Sequence, residues 1–148
     1  MDIKVRIKKL RESAKLPVYA TPGSAAADLC YAGDGELEIC AGATVLVPTG
    51  LSISMGRDDV AAFIYARSGL ASKRGIAPAN CVGVIDSDYR GEIMVALKNG
   101  SGCDFYVRPG DRIAQMVIAP VMHAEFEETT VLDETERNDG GFGSTGIG

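Results

Sequence analysis

The sequence predicts an all-β protein, a jelly-roll-like barrel or sandwich with one short helix and a flexible glycine-rich C-terminal arm. Short apolar or alternating runs recur along the chain with Gly or Pro between them. That pattern is typical of sandwiches and jelly rolls and not of βαβ units. No amphipathic stretch is longer than about two helical turns. The 148 residues suffice for one domain with its own core.

The predicted strands show either alternation or a continuous apolar run. In residues 3–8, Ile and Val alternate with Lys and Arg, which indicates a half-buried strand. Residues 60–65 are apolar throughout. The remaining predicted strands lie at residues 36–39, 44–47, 51–55, 82–85, 93–97, 103–107 and 112–120.

The best helical candidate is Arg67–Ile76, with Ser68 placed to cap its start and Gly75 to end it. A helix start exposes free N–H groups, and with Arg67 beside them it becomes a candidate phosphate site. A surface turn with solvated basic residues explains the same pattern equally well.

A polar turn at residues 86–92 separates two apolar runs, and we interpret the whole as a β-hairpin. Asp86 and Tyr89 would then lie at a rigid edge, where catalytic and binding groups are often held. An acid and an aromatic ring placed there could activate a water beside a flat ligand. An ordinary turn is the alternative, since Asp and Ser favour turns.

Other polar residues stand alone among apolar neighbours. Asp28 either caps a turn or orients a cationic side chain in a site. Arg112 and Gln115 are an odd number of positions apart, so we expect them on opposite faces of an extended strand. Gln115 is either a tolerated polar residue of a core strand or a ligand contact. His123 is interpreted as a partly exposed strand residue and not as a catalyst.

Composition narrows the classes of function. A net charge of −5 gives no general attraction to nucleic acid, so an anion must be bound by local chemistry. The cysteines are far apart and there is one histidine, which argues against structural zinc. We expect no secretory leader and no membrane span. A reducing cytoplasm with free, mostly buried thiols is the simplest interpretation.

The composition changes at Asp133, so we predict a β domain over residues 1–132 and a mobile arm over 133–148. The arm contains Arg137 and Phe142 among glycines. A glycine-rich backbone can surround oxyanions with its N–H groups while an Arg adds charge. An arm that orders on a ligand is favoured over a disordered linker.

Five segments of the chain, taken together and in order, closely resemble the trimeric dUTP diphosphatase (dUTPase) family. A single motif would be weak evidence, but five in order are highly specific. The segments are Ala26–Leu29, Arg67–Ala71, Gly83–Gly91, Gly110–Gln115, and Arg137 with Gly140–Gly146.

The resemblance implies a jelly-roll-like homotrimer with three composite active sites. It implies hydrolysis of dUTP to dUMP and pyrophosphate, which limits uracil incorporation into DNA and supplies dUMP for dTMP synthesis. The implied cofactor is Mg²⁺, held mainly by the substrate phosphates and water and by no dedicated protein ligands, as suits an ion that keeps several waters. The implied partners are dUTP and further copies of the chain, with no nucleic acid and no membrane.

The resemblance also assigns roles around the nucleoside. Asp86 would be the general base that deprotonates the water attacking the α-phosphorus. Tyr89 would pack under the deoxyribose and leave no room for a 2′-hydroxyl. Asn80 and the Val84–Ile85 backbone would read the uracil edge in a slot that excludes a methyl group. Met94 would line that pocket.

Around the phosphates, the resemblance assigns Arg67, Ser68 and Gly69 to phosphate binding, with Gln115 assisting. Asp28 would orient water or a basic side chain near the metal. Such a site works by positioning and charge neutralisation.

In the arm, the resemblance assigns Arg137 to the γ-phosphate and Phe142 to stacking on uracil. The segment Gly143, Ser144 and Thr145 would close over the substrate.

Two positions depart from the family pattern. Asn138, followed by Asp139, stands where Gly usually follows the Arg of the fifth motif, and an acid beside a triphosphate should weaken closure unless it points outward. Ala66 replaces the Pro that often precedes the second motif. Neither change removes a chemical group that the reaction needs.

Two other functions are compatible with the same fold. A dCTP deaminase would need a group to protonate the cytosine amine, and it lacks the closing arm. A dUTP-responsive binding or regulatory module would need no base, whereas Asp86 and Tyr89 are both present.

Overall fold

The computed structural model describes residues 3–136 and 138–141, and over these the predicted all-β class is confirmed. One seven-residue helix interrupts a succession of antiparallel strands. In chain order the elements are β1 (Arg6–Lys9), β2 (Val18–Tyr19), β3 (Ala27–Cys30), β4 (Leu37–Ile39), β5 (Thr44–Pro48), β6 (Leu51–Ser54), β7 (Val60–Tyr65), α1 (Ser68–Arg74), β8 (Ile76–Pro78), β9 (Gly83–Ile85), β10 (Met94–Asn99), β11 (Phe105–Val107) and β12 (Arg112–Pro120).

The strands form a five-stranded sheet in the order β2-β3-β12-β7-β9, a three-stranded sheet β5-β10-β8, and the pairs β1-β6 and β11-β4. All four sheets contribute to a single hydrophobic core. Leu29, Leu51, Leu97 and Val107, one from each sheet, are fully buried. Alternate side chains of a strand point to opposite faces, and in β10 Val95, Leu97 and Asn99 are buried whereas Met94 and Lys98 are exposed.

A β-bulge in β12 places Arg112 and Gln115 on the same face, so the prediction of opposite faces is wrong. Gln115 lies opposite Asp28 in the register and Arg112 lies opposite Cys30, but Ile113 has no partner position in β3. An extra residue in one strand reverses the alternation beyond it. Asp28 and Cys30 share a face, and Arg112 therefore joins the row that contains Gln115.

The central stretch is not a hairpin. Its two arms belong to different sheets, since β9 pairs with β7 whereas β10 pairs with β5 and β8. The connection is fastened to residues 49–51 instead. The backbone N–H of Ile93 donates to the Leu51 carbonyl at 2.8 Å, and the Thr49 hydroxyl donates to the Ile93 carbonyl at 2.7 Å. The two apolar runs on either side of the turn therefore pair with other strands and not with each other.

The helix α1 ends as predicted but begins differently. Gly75 adopts a left-handed conformation with φ 69°, and its N–H donates to the Ala71 carbonyl at 3.1 Å. The cap position is Arg67 and it makes no side-chain capping bond, so the prediction that Ser68 caps the helix is wrong. Ser68 is the first helical residue, and its carbonyl accepts from the Ser72 hydroxyl at 2.6 Å.

The prediction of mostly buried thiols is also wrong. Cys40, Cys81 and Cys103 are exposed, and Cys30 is half-buried. Burial raises the pKa of the Cys30 thiol, with a smaller opposing effect from Lys15. The exposed cysteines lie in turns and at strand ends, where an apolar residue type does not guarantee burial. In the ranges that the structure covers, there is no helix with the length and hydropathy of a membrane span.

Asn99 is a fully buried polar residue that ties three backbone segments together. Its Nδ2 donates to the carbonyls of Ile39 and Cys103, both at 2.8 Å, and its Oδ1 accepts from the N–H and the hydroxyl of Ser101. Replacing Asn99 with Leu leaves these groups without partners and is expected to lower the free energy of unfolding by about 2–4 kcal/mol. Urea unfolding measures this. Ser101→Ala should cost less than about 1 kcal/mol, and equal losses for the two variants would contradict this interpretation of Asn99.

Candidate active site

A cleft of about 470 Å³ lies on the outer face of the five-stranded sheet. Its floor is one row of the sheet, in which Gln115 of β12 faces Asp28 of β3 on one side and Tyr65 of β7 on the other. The cleft gathers five of the residues predicted for the site with one that was not: Asp28, Arg67, Ser68, Gly69, Gln115 and Arg112. The sheet therefore assembles a polar cluster from three of the five sequence segments.

Asp28 holds two arginines at the edge of this cleft. Its Oδ1 accepts from Arg67 Nε at 2.8 Å and its Oδ2 accepts from Arg112 Nη1 at 3.1 Å. The Asp28 side chain is 15% exposed, whereas that of Arg112 is 54% exposed. Of the two interpretations of Asp28, the structure shows the one in which it orients cationic side chains. Two guanidiniums share one carboxylate, so the trio carries a net positive charge toward the cleft.

Arg112 is the site residue that sequence reasoning missed. The odd spacing from Gln115 placed it on the opposite face, and only the β-bulge brings it to Asp28. Bulges leave no fixed sequence pattern in a strand of this kind. One sequence feature could have indicated a role for Arg112: it is a basic residue at the start of an otherwise mostly apolar strand.

Gln115 supports the approach to Arg67. Its Nε2 donates to the Ala66 carbonyl at 2.8 Å and thereby links β12 to the residue just before the helix start. This hydrogen bond fixes the backbone at Ala66. Gln115 lines the cleft as well.

A second, narrower cavity of about 230 Å³ lies between β9 and β10, and we call it the slot. It contains the residues predicted to read the base, namely Asn80, Val84, Ile85 and Met94. β9 is the edge strand of its sheet and pairs only with β7 among the described strands. An edge strand presents backbone N–H and C=O groups along its open side. The slot thus combines apolar walls with a polar backbone edge.

Asp86 and Tyr89 are joined in one turn that directly follows β9. The Tyr89 N–H donates to the Asp86 carbonyl at 3.1 Å, and Arg90 Nη1 donates to the carbonyls of Ser87 and Tyr89 at 2.8 Å each. Asp88 is a central residue of this turn, as its sequence suggested. The Asp86 carboxylate is exposed and lines a hollow of about 510 Å³.

The same hollow contains Asp58, Asp88 and His123. His123 is exposed and lies beyond the end of β12, so the prediction that it belongs to a strand is wrong. Among the residues that the structure describes, no group of three or more His, Cys, Asp or Glu side chains is arranged to hold a metal ion.

The cleft and the slot share no residue. Tyr65 lines the cleft and the adjacent Ile64 lines the slot, and neighbouring residues of a strand point to opposite faces. Neither Asp86 nor Tyr89 lines either cavity. One copy of the chain therefore presents the predicted site in separate parts.

The predicted arm residues Arg137, Phe142, Gly143, Ser144 and Thr145 lie outside the described residues.

Asn138, which stands where the resemblance suggests a glycine, lies within the described residues. Asn138 Oδ1 accepts from the Thr135 N–H at 2.9 Å, and the Asn138 N–H donates to the Thr135 hydroxyl at 3.0 Å. Asn138 also has a positive φ of 44°, a conformation for which glycine is the usual choice. Asn is one of the few other residues that adopt it readily.

Comparison with known proteins identifies the family. A dUTPase family profile matches residues 12–146. The deoxyuridine 5′-triphosphate nucleotidohydrolase of Desulfitobacterium hafniense strain DCB-2 is 56% identical over 148 residues, covering 99% of this chain and 98% of that protein. The chain belongs to the dUTPase family. The protein of the same name from Salmonella arizonae is 47% identical over 146 residues, with 99% and 96% covered.

Solved dUTPase structures confirm the jelly-roll-like fold. The Staphylococcus bacteriophage 80alpha dUTPase with dUpNHpp superposes with a TM-score of 0.89 at 22% identity, covering 97% of this chain and 99% of that one. A mutant dUTPase of phage phi11 of S. aureus, described for the coordination of a structural Mg(II) ion, superposes with a TM-score of 0.81 at 18% identity, with 88% and 99% covered.

Proposed function

We propose that this dUTPase hydrolyses dUTP to dUMP and pyrophosphate by water attack on the α-phosphorus. The observation that carries the proposal is the pairing of a positively charged cleft with a narrow slot edged by free backbone groups, in a chain 56% identical to a named deoxyuridine triphosphate nucleotidohydrolase. A nucleoside triphosphate needs both kinds of site, one for its anionic tail and one for its base.

The cleft suits the triphosphate. Arg67 and Arg112 are pre-oriented by Asp28, so little side-chain entropy is lost when they meet phosphate oxygens. Ser68 and Gly69 line the same cleft and add a hydroxyl and backbone N–H groups. Gln115 holds the backbone in front of Arg67.

The slot suits uracil. Pyrimidine rings are flat, and the open edge of β9 offers donors and acceptors in one plane to the edge of the base. Asn80 adds a side-chain amide at the end of the slot, and Met94 forms a wall. We assign to the walls of the slot the rejection of a base with an added methyl group. Tyr89, in the turn that follows β9, is the residue we assign to the deoxyribose.

Asp86 is the residue we assign as general base. It is an exposed carboxylate at the end of β9, held in its turn by backbone bonds and therefore close to the end of a base bound in the slot. A carboxylate needs only hydrogen-bonding reach to a water to act in this way. Asp88 in the same turn carries no such assignment.

We propose Mg²⁺ as the cofactor, held by the substrate phosphates and water. Asp28 is already engaged by two arginines, and the polar residues of the cleft are donors suited to phosphate oxygens, not metal ligands. Bound Mg²⁺ would neutralise phosphate charge and orient the leaving pyrophosphate. Arg67 and Arg112 would position the phosphates that carry it.

A homotrimer with composite sites explains the separation of the two cavities. The slot of one copy and the cleft of another would face the same nucleotide, since within one copy the two cavities share no residue and neither is lined by Asp86 or Tyr89. Several large apolar side chains beyond β12 are exposed to solvent in the single copy. Those more than three-quarters exposed are Met122, Phe126, Val131 and Leu132. Such surfaces are typical of subunit contacts.

Charge complementarity supports the same assembly. The exposed residues at the start of the chain are basic, with Lys4 before β1 and Arg6 and Lys8 within it, whereas residues 125–128 contain three glutamates. β1 pairs only with β6 among the described strands, so its other edge is open to a second copy. Opposite charges on two exposed segments favour their association and one relative position of the two.

We further propose that residues 1–132 form the folded domain and residues 133–148 an arm that closes over the triphosphate. The strands of the fold end at Pro120, and residues 122–136 are exposed. Deleting residues 137–148 is expected to lower kcat/KM for dUTP by about 10²-fold or more, since Arg137 would no longer neutralise phosphate charge. Sizing chromatography and thermal unfolding should be unchanged, and conversion to monomer would contradict an arm that serves only closure.

The proposed function is tested by measuring pyrophosphate release with Mg²⁺ from dUTP, dCTP, dTTP and UTP. We expect rapid release from dUTP, with dUMP as the second product, and almost none from the others. Deamination of dCTP would favour a dCTP deaminase-like enzyme. Tight dUTP binding without pyrophosphate would favour a binding or regulatory module. We place the enzyme in the cytoplasm, where removing dUTP limits uracil incorporation into DNA.

A further inference from the structure

The ring of Tyr89 lies directly against the backbone of Gly91. A β-carbon placed on Gly91 would be 2.3 Å from the Tyr89 hydroxyl oxygen, 2.5 Å from Cζ and 2.9 Å from Cε2. Real β-carbons do not approach other heavy atoms so closely. The Tyr89 ring can therefore hold its place only because residue 91 has no side chain.

Backbone conformation does not explain the glycine at this position. Gly91 has no positive φ, unlike Gly75 or Gly110. The φ of Gly91 therefore does not require a glycine. The space taken by the Tyr89 ring is the local reason for a glycine.

Glu92 fixes the same, hydroxyl end of the ring. The Tyr89 hydroxyl donates to the Glu92 carbonyl at 2.9 Å. The Glu92 carboxylate, 20% exposed, accepts from Arg11 Nη2 at 2.8 Å through Oε2 and from the Gly50 N–H at 2.7 Å through Oε1. The acceptor of the tyrosine hydroxyl is thereby anchored to two distant parts of the chain.

We propose that Gly91 and Glu92 are positioning residues that set where the Tyr89 ring stands and so determine how strongly the site rejects a ribose. The proposal rests on the proposed function, in which Tyr89 packs under the deoxyribose. A ring held in one position clashes with the 2′-hydroxyl of a ribose, whereas a ring that can rotate moves aside and accommodates it. Tyr89 is 43% exposed, and its ring lies against Gly91 and is hydrogen-bonded to the Glu92 carbonyl, so a shift of the ring should disturb the rest of the fold little.

The chain contains a matched control. Tyr31 and Gly33 repeat the arrangement: a β-carbon on Gly33 would be 2.0 Å from the Tyr31 hydroxyl oxygen, and that hydroxyl donates to the Gly35 carbonyl at 2.9 Å. Tyr31, however, is only 6% exposed and belongs to the core. The same substitution at the two glycines should therefore have different effects.

The test compares Gly91→Ala with Gly33→Ala by thermal unfolding and by kcat/KM for dUTP and UTP. Gly91→Ala should leave Tm nearly unchanged, raise KM for dUTP and lower the dUTP-to-UTP ratio of kcat/KM by about tenfold or more. Gly33→Ala should lower Tm and leave that ratio unchanged. In a crystal structure of Gly91→Ala, the Tyr89 hydroxyl should have left the Glu92 carbonyl.

Each contrary result has one meaning. A ring still bonded to Glu92 in Gly91→Ala would refute the steric argument. A displaced ring with an unchanged dUTP-to-UTP ratio would refute the positioning role. Absence of dUTP turnover in the unaltered chain would refute the proposed function itself, which neither of the first two results does.

Discussion

Replacing Asp86 with Asn is expected to reduce kcat for dUTP by roughly 10²–10⁴-fold, the contribution typical of a general base. Asparagine keeps the size of the side chain but accepts no proton at neutral pH. The slot and the cleft do not include Asp86, so binding of a non-hydrolysable analogue such as dUpNHpp should be retained. Single-turnover pyrophosphate release and equilibrium binding separate the two effects.

Asp88 provides the matched control. It lies two positions away in the same turn and lines the same hollow, so Asp88→Asn makes the same change of charge beside the site. We expect it to retain most of kcat. Equal losses for Asp86→Asn and Asp88→Asn would mean that the charge of the turn, and not proton transfer to Asp86, determines the rate.

Replacing Arg67 with Ala is expected to lower kcat/KM for dUTP by roughly 10²–10³-fold, as for loss of one preorganised donor to a developing charge. Two effects contribute to the loss. Phosphate binding is weaker without Arg67, and the Asp28 carboxylate loses one of the two arginines that donate to it. Steady-state kinetics measures it. Arg67→Lys should recover part of the binding but little of kcat, since lysine lacks the planar donor geometry that meets Asp28.

Arg74 supplies the control for charge alone. It lies in the last turn of the same helix and outside the cleft. Arg74→Ala removes an identical side chain, and we expect kcat/KM to change less than about twofold, because exposed charges are screened by solvent and salt. A comparable loss in both variants would assign the effect of Arg67 to long-range charge and not to the cleft.

The fold class followed from local patterns because a sandwich repeats one signal many times. Alternating runs with Gly and Pro between them predicted the strands, and Gly75 predicted the end of the helix. These features depend on residues near one another in the sequence, where turn and capping preferences act.

Features that depend on distant partners were not predictable. The runs around Asp86 were expected to pair with each other, but β9 pairs with β7, and β10 pairs with β5 and β8 in a different sheet from β9. A period-2 pattern specifies which face is buried and not which strand is the partner. The bulge at Ile113 has the same origin, since it arises from the register between β12 and β3.

For the candidate site, sequence reasoning supplied residues but not their grouping. Asp28, Arg67 and Gln115 were each singled out with an ordinary alternative, and the register of β3, β12 and β7 unites them in one cleft. Arg112 was missed because its side depends on the bulge. The division between cleft and slot appears only when the strands are placed in a sheet, because it depends on which strands lie side by side.

The central claim is that dUTP is hydrolysed where the slot and turn of one copy meet the cleft of another. Mixed trimers test it, prepared by refolding Asp86→Asn and Arg67→Ala chains together. If the two residues of a site come from different copies, random mixing restores about a quarter of the sites to full activity. We predict recovery to about that level from two nearly inactive parents. Activity that stays at the level of the parents would contradict the account.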